Sequence, residues 1–446
     1  MKVDPTGPLP PTSILPYVQR IAVYAPSSNR QWEFGEEIIR RMSRLTHIYW
    51  EGGGGRRQSK LRHLRLLLTS PTVQSLTLSN AWLQPDTSGF TGISSGLRIL
   101  RIDFRHPAEG SSPTRPGFLE EHLSCMDSVY EVLRPRLESL TLSAYSAKLS
   151  SLAAASWPSL RTFTITRGDA VLDTSWERLL FQMPALSALT VALACDETPT
   201  ILIRDGAEAS LSGLRHLTIS FPHPDDKVFS SAPPELRELS LRDSPRFYTF
   251  RWIDGSDPPF EPILTCSDVL RIFSVLSATS LTALELVYLE SFEEFQMLGA
   301  LSRSCPNLTL LEFHRYPLKR SRKDAWYKGE LTIPVDAIAE SLAEFKSLRV
   351  LKLNLCFTDY DLRREAGSFP PDYWDRLADF IAAHAYTIAL RIPWIKTVSI
   401  LTRTGTACAM HWDTWSVHAE GAFGGPKLMR DGIYHDSGNC HESAYV

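Results

Sequence analysis

"LRVLKLNLC", residues 348–356, places leucines at Leu348, Leu351, Leu353 and Leu355 and ends on Cys356. Its spacing, apolar-x-x-apolar-x-apolar, finishes in a two-residue alternation, which marks a short strand with one buried face. Outward from here the pattern recurs at VQRIAV from Val18, LTHIYW from Leu45, VQSLTL from Val73, LRILRI from Leu97, LESLTL from Leu137 and LRTFTI from Leu160. It continues at LSALTV from Leu186, LRHLTI from Leu214, LRELSL from Leu236, LTALEL from Leu281, LTLLEF from Leu308 and IKTVSI from Ile395. With the opening stretch this makes thirteen units, whose starts lie 22 to 47 residues apart.

Most of these separations fall in the range of leucine-rich repeats, and the longer ones require insertions. A unit buries about three large side chains at roughly 1.5 to 3 kcal/mol apiece, while ordering its backbone costs about 1 to 2 kcal/mol per residue. One repeat cannot fold alone, so neighbours must stack and share a core. The spacers carry apolar residues at helical period. Leu119, Leu123, Met126, Val129, Tyr130 and Leu133 share a face within 117–134. Ser267 to Ala278 has Ser267 or Asp268 as N-cap candidate, Val335 to Phe345 follows Pro334, and Pro371 to Ala385 is a fourth helix. Strand, turn, helix and return predict an α/β fold. It is a right-handed leucine-rich-repeat solenoid, or horseshoe, with parallel strands on the concave face and helices on the convex face. Residues 1–14 read as a flexible segment, 15–402 as the irregular repeat domain and 403–446 as a partly disordered tail in which Trp412 and Trp415 pack on the final repeat.

The 446 residues are 43% hydrophobic and 22% charged, with a net charge of -3, so the balance favours neither nucleic acid nor an anionic membrane. Seven scattered cysteines argue against a disulfide framework and for a reducing compartment, cytoplasmic or nuclear. The proline-rich N-terminus MKVDPTGPLPPTSILP has no signal-peptide core, and no run of residues approaches a membrane span.

The degenerate repeats, the connectors RMSRLTHIYW (41–50), SWPSLRTFTI (156–165) and SCPNLTLLEF (304–313), and the late IPWIKTVSI (392–400) resemble the fungal F-box proteins with irregular leucine-rich repeats. The resemblance covers residues 15–402 and implies a protein-interaction module, the substrate-recognition subunit of an SCF-type (cullin-RING) ubiquitin ligase. In that family an N-terminal F-box docks on the Skp adaptor of the cullin complex. Here Leu9-Pro10 and Leu15-Pro16 run directly into the strand-like VQRIAVY, which leaves no room for a complete F-box. Contact with Skp adaptor and cullin therefore depends on an F-box upstream of Met1, and the alternative is a stand-alone repeat scaffold with no ligase connection.

A protein substrate would meet the side chains that alternate outward from each strand. From Val73 to Leu241 these are Thr77, Ser79, Arg101, Asp103, Thr141, Ser143, Thr164, Thr166, Thr190, Ala192, Thr218, Ser220, Ser240 and Arg242. The later units differ, with Glu285, Val287, Glu312, His314, Lys352 and Asn354. The insertion FYTFRWIDGSDPPFEP (247–262) adds Tyr248, Arg251 and Trp252, residue types that dominate interface energetics. The partner contacts expected are therefore Arg242, Tyr248, Arg251, Trp252, Glu285, Glu312, His314, Lys352 and Asn354.

No catalytic, cofactor or metal residue is expected. Gly52 to Gly55 lack the Lys-Ser or Lys-Thr of a phosphate loop. The basic stretch LKRSRKDAWYK (318–328) reads as a solvated loop and Cys356 as a buried structural thiol. Cys408, His411, His418, His435, Cys440 and His441 match no common zinc spacing.

Overall fold

All thirteen units become strands in the computed structural model of the chain. The structure describes residues 2–3, 13–24, 38–51, 59–80, 83–84, 95–103, 118–166, 173–193, 198–204, 211–244, 246, 263–316, 334–355, 373–404, 409–418 and 425–435. Gly52 to Gly55, Tyr248, Arg251, Trp252, the stretch 318–328, Cys356, Cys408, Cys440 and His441 lie outside them.

Two compact units emerge: Met1–Ala194 with Leu202–Gly213, and Cys195–Ile201 with Leu214–Tyr445. The first contains β1 (Arg20–Tyr24), β2 (His47–Glu51), β3 (Ser75–Ser79), β4 (Ile99–Asp103), β5 (Ser139–Ser143), β6 (Thr162–Thr166) and β7 (Ala188–Ala192). Each pairs in parallel with the next. The second contains β8 (His216–Ser220), β9 (Glu238–Arg242), β10 (Ala283–Leu289), β11 (Leu310–Tyr316), β12 (Val350–Asn354) and β13 (Thr397–Thr404), again parallel in sequence order.

Register stacks like on like. Leu76, Leu100, Leu140, Phe163 and Leu189 form one ladder in the first unit, and Leu217, Leu239, Leu284, Leu311, Leu351 and Val398 form its counterpart in the second. All are buried, as are the leading residues Val73, Leu97, Leu137, Leu160, Leu186, Leu214, Leu236, Leu281, Leu308, Leu348 and Ile395. The residue between the leading apolar position and the strand has a different duty. Its carbonyl accepts two successive amides of the following repeat: Arg98 O from Glu138 N at 2.8 Å and Ser139 N at 3.0 Å, Arg237 O from Thr282 N at 2.9 Å and Ala283 N at 3.1 Å. The backbone does this work, so the side chain there is free to be polar and to face water, which explains the recurring Leu-Arg of the sequence.

Helices fill the connections: α1 (Leu61–Thr69), α2 (Phe118–Leu133), α3 (Leu149–Ala153), α4 (Trp176–Phe181), α5 (Lys227–Ser230), α6 (Cys266–Val275), α7 (Glu294–Ser304), α8 (Val335–Leu342) and α9 (Tyr373–Arg391). In the second unit α6, α7, α8 and α9 pack in that order. The helix expected from Ser267 begins one residue earlier. Its cap is Thr265, whose hydroxyl accepts the Asp268 amide at 3.2 Å while Asp268 accepts the Thr265 amide at 3.0 Å, a reciprocal capping box. Parallel strands joined through helices around a shared apolar ladder constitute a leucine-rich-repeat fold.

Beyond β13 the chain reverses. β14 (Ala409–His418) pairs antiparallel with β13, and β15 (Lys427–His435) antiparallel with β14, with an irregularity between Thr414 and Trp415. Among the described residues no helix is long and apolar enough to cross a membrane.

Candidate functional site: the open faces of the strands

Alternate strand residues point away from the apolar ladders, and on this open face the two units carry different chemistry. Across β2 to β7 the central row, fixed by register, is Tyr49, Thr77, Arg101, Thr141, Thr164 and Thr190. The four threonines are half-buried, and Arg101 and Tyr49 are exposed. Threonine suits this position because its branched side chain favours extended backbone and its hydroxyl is content in water. Tyr49 donates to Glu51, and Asn80 Nδ2 donates to the same carboxylate at 3.2 Å from a backbone with φ of 50°. Burial and the neighbouring Glu51 carboxylate push the Tyr49 phenol up.

The corresponding row of the second unit is Thr218, Ser240, Glu285, Glu312, Lys352 and Ser399. Here the expected contacts Glu285, Glu312, His314, Lys352, Asn354 and Arg242 do come together, and they engage one another. His314 Nε2 lies 3.1 Å from Glu312 Oε1, and an ionised carboxylate can only accept, so that nitrogen carries the proton. The remaining His314 nitrogen accepts from Asn354 Nδ2 at 3.3 Å, and Asn354 also donates to Tyr316 Oη at 3.4 Å. Tyr316 donates to Asp243 Oδ2 at 3.4 Å. Arg246 returns the circuit, with Nη1 3.1 Å from Asp243 Oδ1 and Nη2 on Glu285 and 4.0 Å from Glu312 Oε1. Ser240 donates to Glu285 Oε2 at 2.5 Å, Lys352 Nζ to Glu312 Oε2 at 3.2 Å, and Arg242 Nε lies 3.5 Å from the Asp243 carbonyl.

This ring is largely shut off from water. His314 and Asn354 are 0% and 2% exposed, and the Lys352 side chain keeps 35%. Trp412 of β14 stands over it, edge-to-face with His314 at 5.9 Å and 5.3 Å from Lys352 Nζ, and joins Ile263, Val287, Tyr316 and Leu401 in an apolar cluster. Burial alone would raise the Glu285 pKa, but the Arg246 and Arg242 guanidinium groups outweigh it and hold the carboxyl well below the usual range. Glu312 is likewise drawn down against burial and the nearby Glu285 charge, by the His314 hydrogen bond and Lys352.

Glu285, Glu312 and His314 bring three ligand-type atoms within 4.8 Å of one another. The Arg246 guanidinium already sits between the two glutamates, so the chain supplies the positive charge itself and the donor set is spent internally. Among the described residues the arrangement ties β9, β10, β11 and β12 together through their outward side chains.

Arg246 and Tyr316 carry no signal in the repeat pattern. Arg246 follows the last outward residue of β9 by four positions, and Tyr316 extends β11 past the usual five-residue length to seven. The same lengthening places Arg315 on the opposite side, where Nε donates to Glu294 at 2.9 and 3.1 Å and Tyr288 donates to Glu294 Oε1 at 2.7 Å. Of the other predicted contacts, Tyr248, Arg251 and Trp252 fall outside the described residues.

No protein-family model matches the chain, and no curated protein sequence matches it. Among solved structures, the Rad7 and Elc1 complex of yeast is similar at 16% identity, covering 75% of this chain and 76% of that one with a TM-score of 0.36. The leucine-rich-repeat-containing protein LegL7 from Legionella pneumophila is similar at 11% identity, covering 86% and 90% with a TM-score of 0.36. These figures bear on neither function nor partners, and the leucine-rich-repeat fold stands on the chain's own strand register and helical connections.

Proposed function

We propose that the chain is a protein-binding leucine-rich-repeat module that holds a partner on the open strand face of its first unit. The supporting observation is the row from Tyr49 to Thr190, a regular surface of hydroxyl, aromatic and guanidinium groups in which Tyr49 is tied to Glu51 while Arg101 stands exposed among half-buried threonines. In the second unit the row is committed internally, with Glu285 and Glu312 paired to Arg246 and Lys352, and Arg242 stands at the rim of that ring. The action is presentation, in which a rigid surface fixes a partner and rate comes from proximity.

The finer reading is that the module is the substrate receptor of an SCF-type ubiquitin ligase, at work in the cytoplasm or nucleus. Its support is the resemblance of the repeats and connectors to fungal F-box proteins. Affinity purification of the natural full-length product tests it: Skp adaptor and cullin should be recovered together. Recovery of a specific partner without either subunit favours the stand-alone scaffold. Thr141→Glu and Thr164→Glu, which place charge on the first unit's open face, should abolish recovery of the partner while leaving the thermal midpoint near that of the parent chain.

A further inference from the structure

Charge on the two open faces is distributed unevenly. In the second unit Glu285, Glu312 and Lys352 each meet an opposite charge from the same chain. In the first, Arg101 is exposed at the centre of the row, between Thr77 and Thr141, and among the described residues no carboxylate meets it. Asp103, two positions along the same face, is engaged in its own contacts. Arg101 is the sole cation in a row otherwise made of threonines and Tyr49.

We propose that Arg101 anchors an aspartate or glutamate from a segment of the partner protein. This rests on the open face of the first unit being the docking surface. The hydroxyls around it donate or accept equally well, so they accommodate many backbones and select little. A guanidinium accepts nothing and presents paired donors that match the two oxygens of a carboxylate. Neighbouring strands lie about 4.8 Å apart, which puts the Thr77 and Thr141 hydroxyls within reach of the same carboxylate. The second unit contains the converse on the equivalent row, where Glu285 of the sheet receives Arg246 from a connecting segment. The chain thus uses this row position for ion pairing in the second unit, and among the described residues leaves it unfilled at Arg101.

The experiment uses the full chain on an array of random nine-residue peptides synthesised as triplets with Glu, Gln or phosphoserine at the centre. Glu peptides should be retained about tenfold better than their Gln twins, as for a residue that matters at an interface. The preference should vanish in Arg101→Gln, survive in part in Arg101→Lys and be untouched by Lys352→Gln. An equal preference in Arg101→Gln and the parent chain overturns the assignment, and so does a preference for phosphoserine over Glu. Retention with no dependence on the central residue overturns it while sparing the docking surface. Retention of no peptide at all removes the docking surface and the anchor together.

Discussion

Within each unit parallel strands stack in register over the same kind of core, yet the open faces of the two units treat charge in opposite ways. Between Tyr49 and Thr190 the central row is hydroxylated, with Arg101 as its one charge, its threonines half-buried and Arg101 and Tyr49 exposed. Between Ser240 and Ser399 it is ionic, with half-buried Glu285, Glu312 and Lys352 closed onto one another through the buried Arg246, Asp243, Tyr316, Asn354 and His314. Outward-facing register alone therefore does not make a residue available to a partner. What decides it is whether a neighbouring segment of the chain reaches the face first.

The largest expected effect separates the two arginines. Arg246→Ala leaves Asp243 and Glu285 buried without their counter-ion and should cost about 3 to 5 kcal/mol. Arg101→Ala, at an exposed position with no ion-pair partner among the described residues, should stay within about 0.5 kcal/mol. Urea denaturation of the two variants would measure this, and equal losses would erase the distinction. The cores should show no such contrast. Leu140→Ala and Leu311→Ala, one in each unit and both almost fully buried, should each cost about 2 to 5 kcal/mol by the same method.

Acid offers a smaller and more selective probe. Glu285 and Glu312 have native pKa values below those of the unfolded chain, so the unfolded state binds more protons in acid. Their stabilisation is complete above about pH 4.3, the ordinary glutamate value, and is lost as pH falls from there through the lowered native values. Hydrogen exchange should accordingly show β10 to β12 losing protection before β4 to β6 on acidification. The smallest effect belongs to the hydroxyl row. Thr164→Val keeps the branched shape and should change stability by less than about 0.5 kcal/mol, a check that this row is not holding the fold together.

The strands were legible in the sequence because two alternating large apolar residues behind a third leave few other ways to bury all three. Helix faces followed from their period, whereas the cap of α6 was displaced because Ser267, Asp268 and Thr265 are all competent caps and only backbone direction chooses among them. The residues of the ring were legible too, as members of the outward row. Their mutual satisfaction was not, since it joins repeats whose starts are 45, 27 and 40 residues apart and needs Arg246, which no periodicity marks. β14 escaped because both of its faces are covered: His411, Trp412, Asp413 and Trp415 are all buried, so no polar alternation marks it, although its register with β13 is unbroken and the extra residue at the irregularity, Asp431, belongs to β15. A strand buried on both faces loses the apolar-polar alternation that marks a strand with one wet face.

The reversal after β13 also has a bearing on assembly. A run of like-directed strands is a template on which another copy could continue head to tail, and a head-to-tail contact that does not close grows into a filament. β14 runs the other way, and β15 adds an interrupted ladder carrying Lys427, Arg430 and Asp431, so the face offered at that side no longer matches the strands it follows. The antiparallel pair serves as a chain terminator for the sheet, and concentration-dependent fibre growth is the behaviour expected when β14 and β15 are removed.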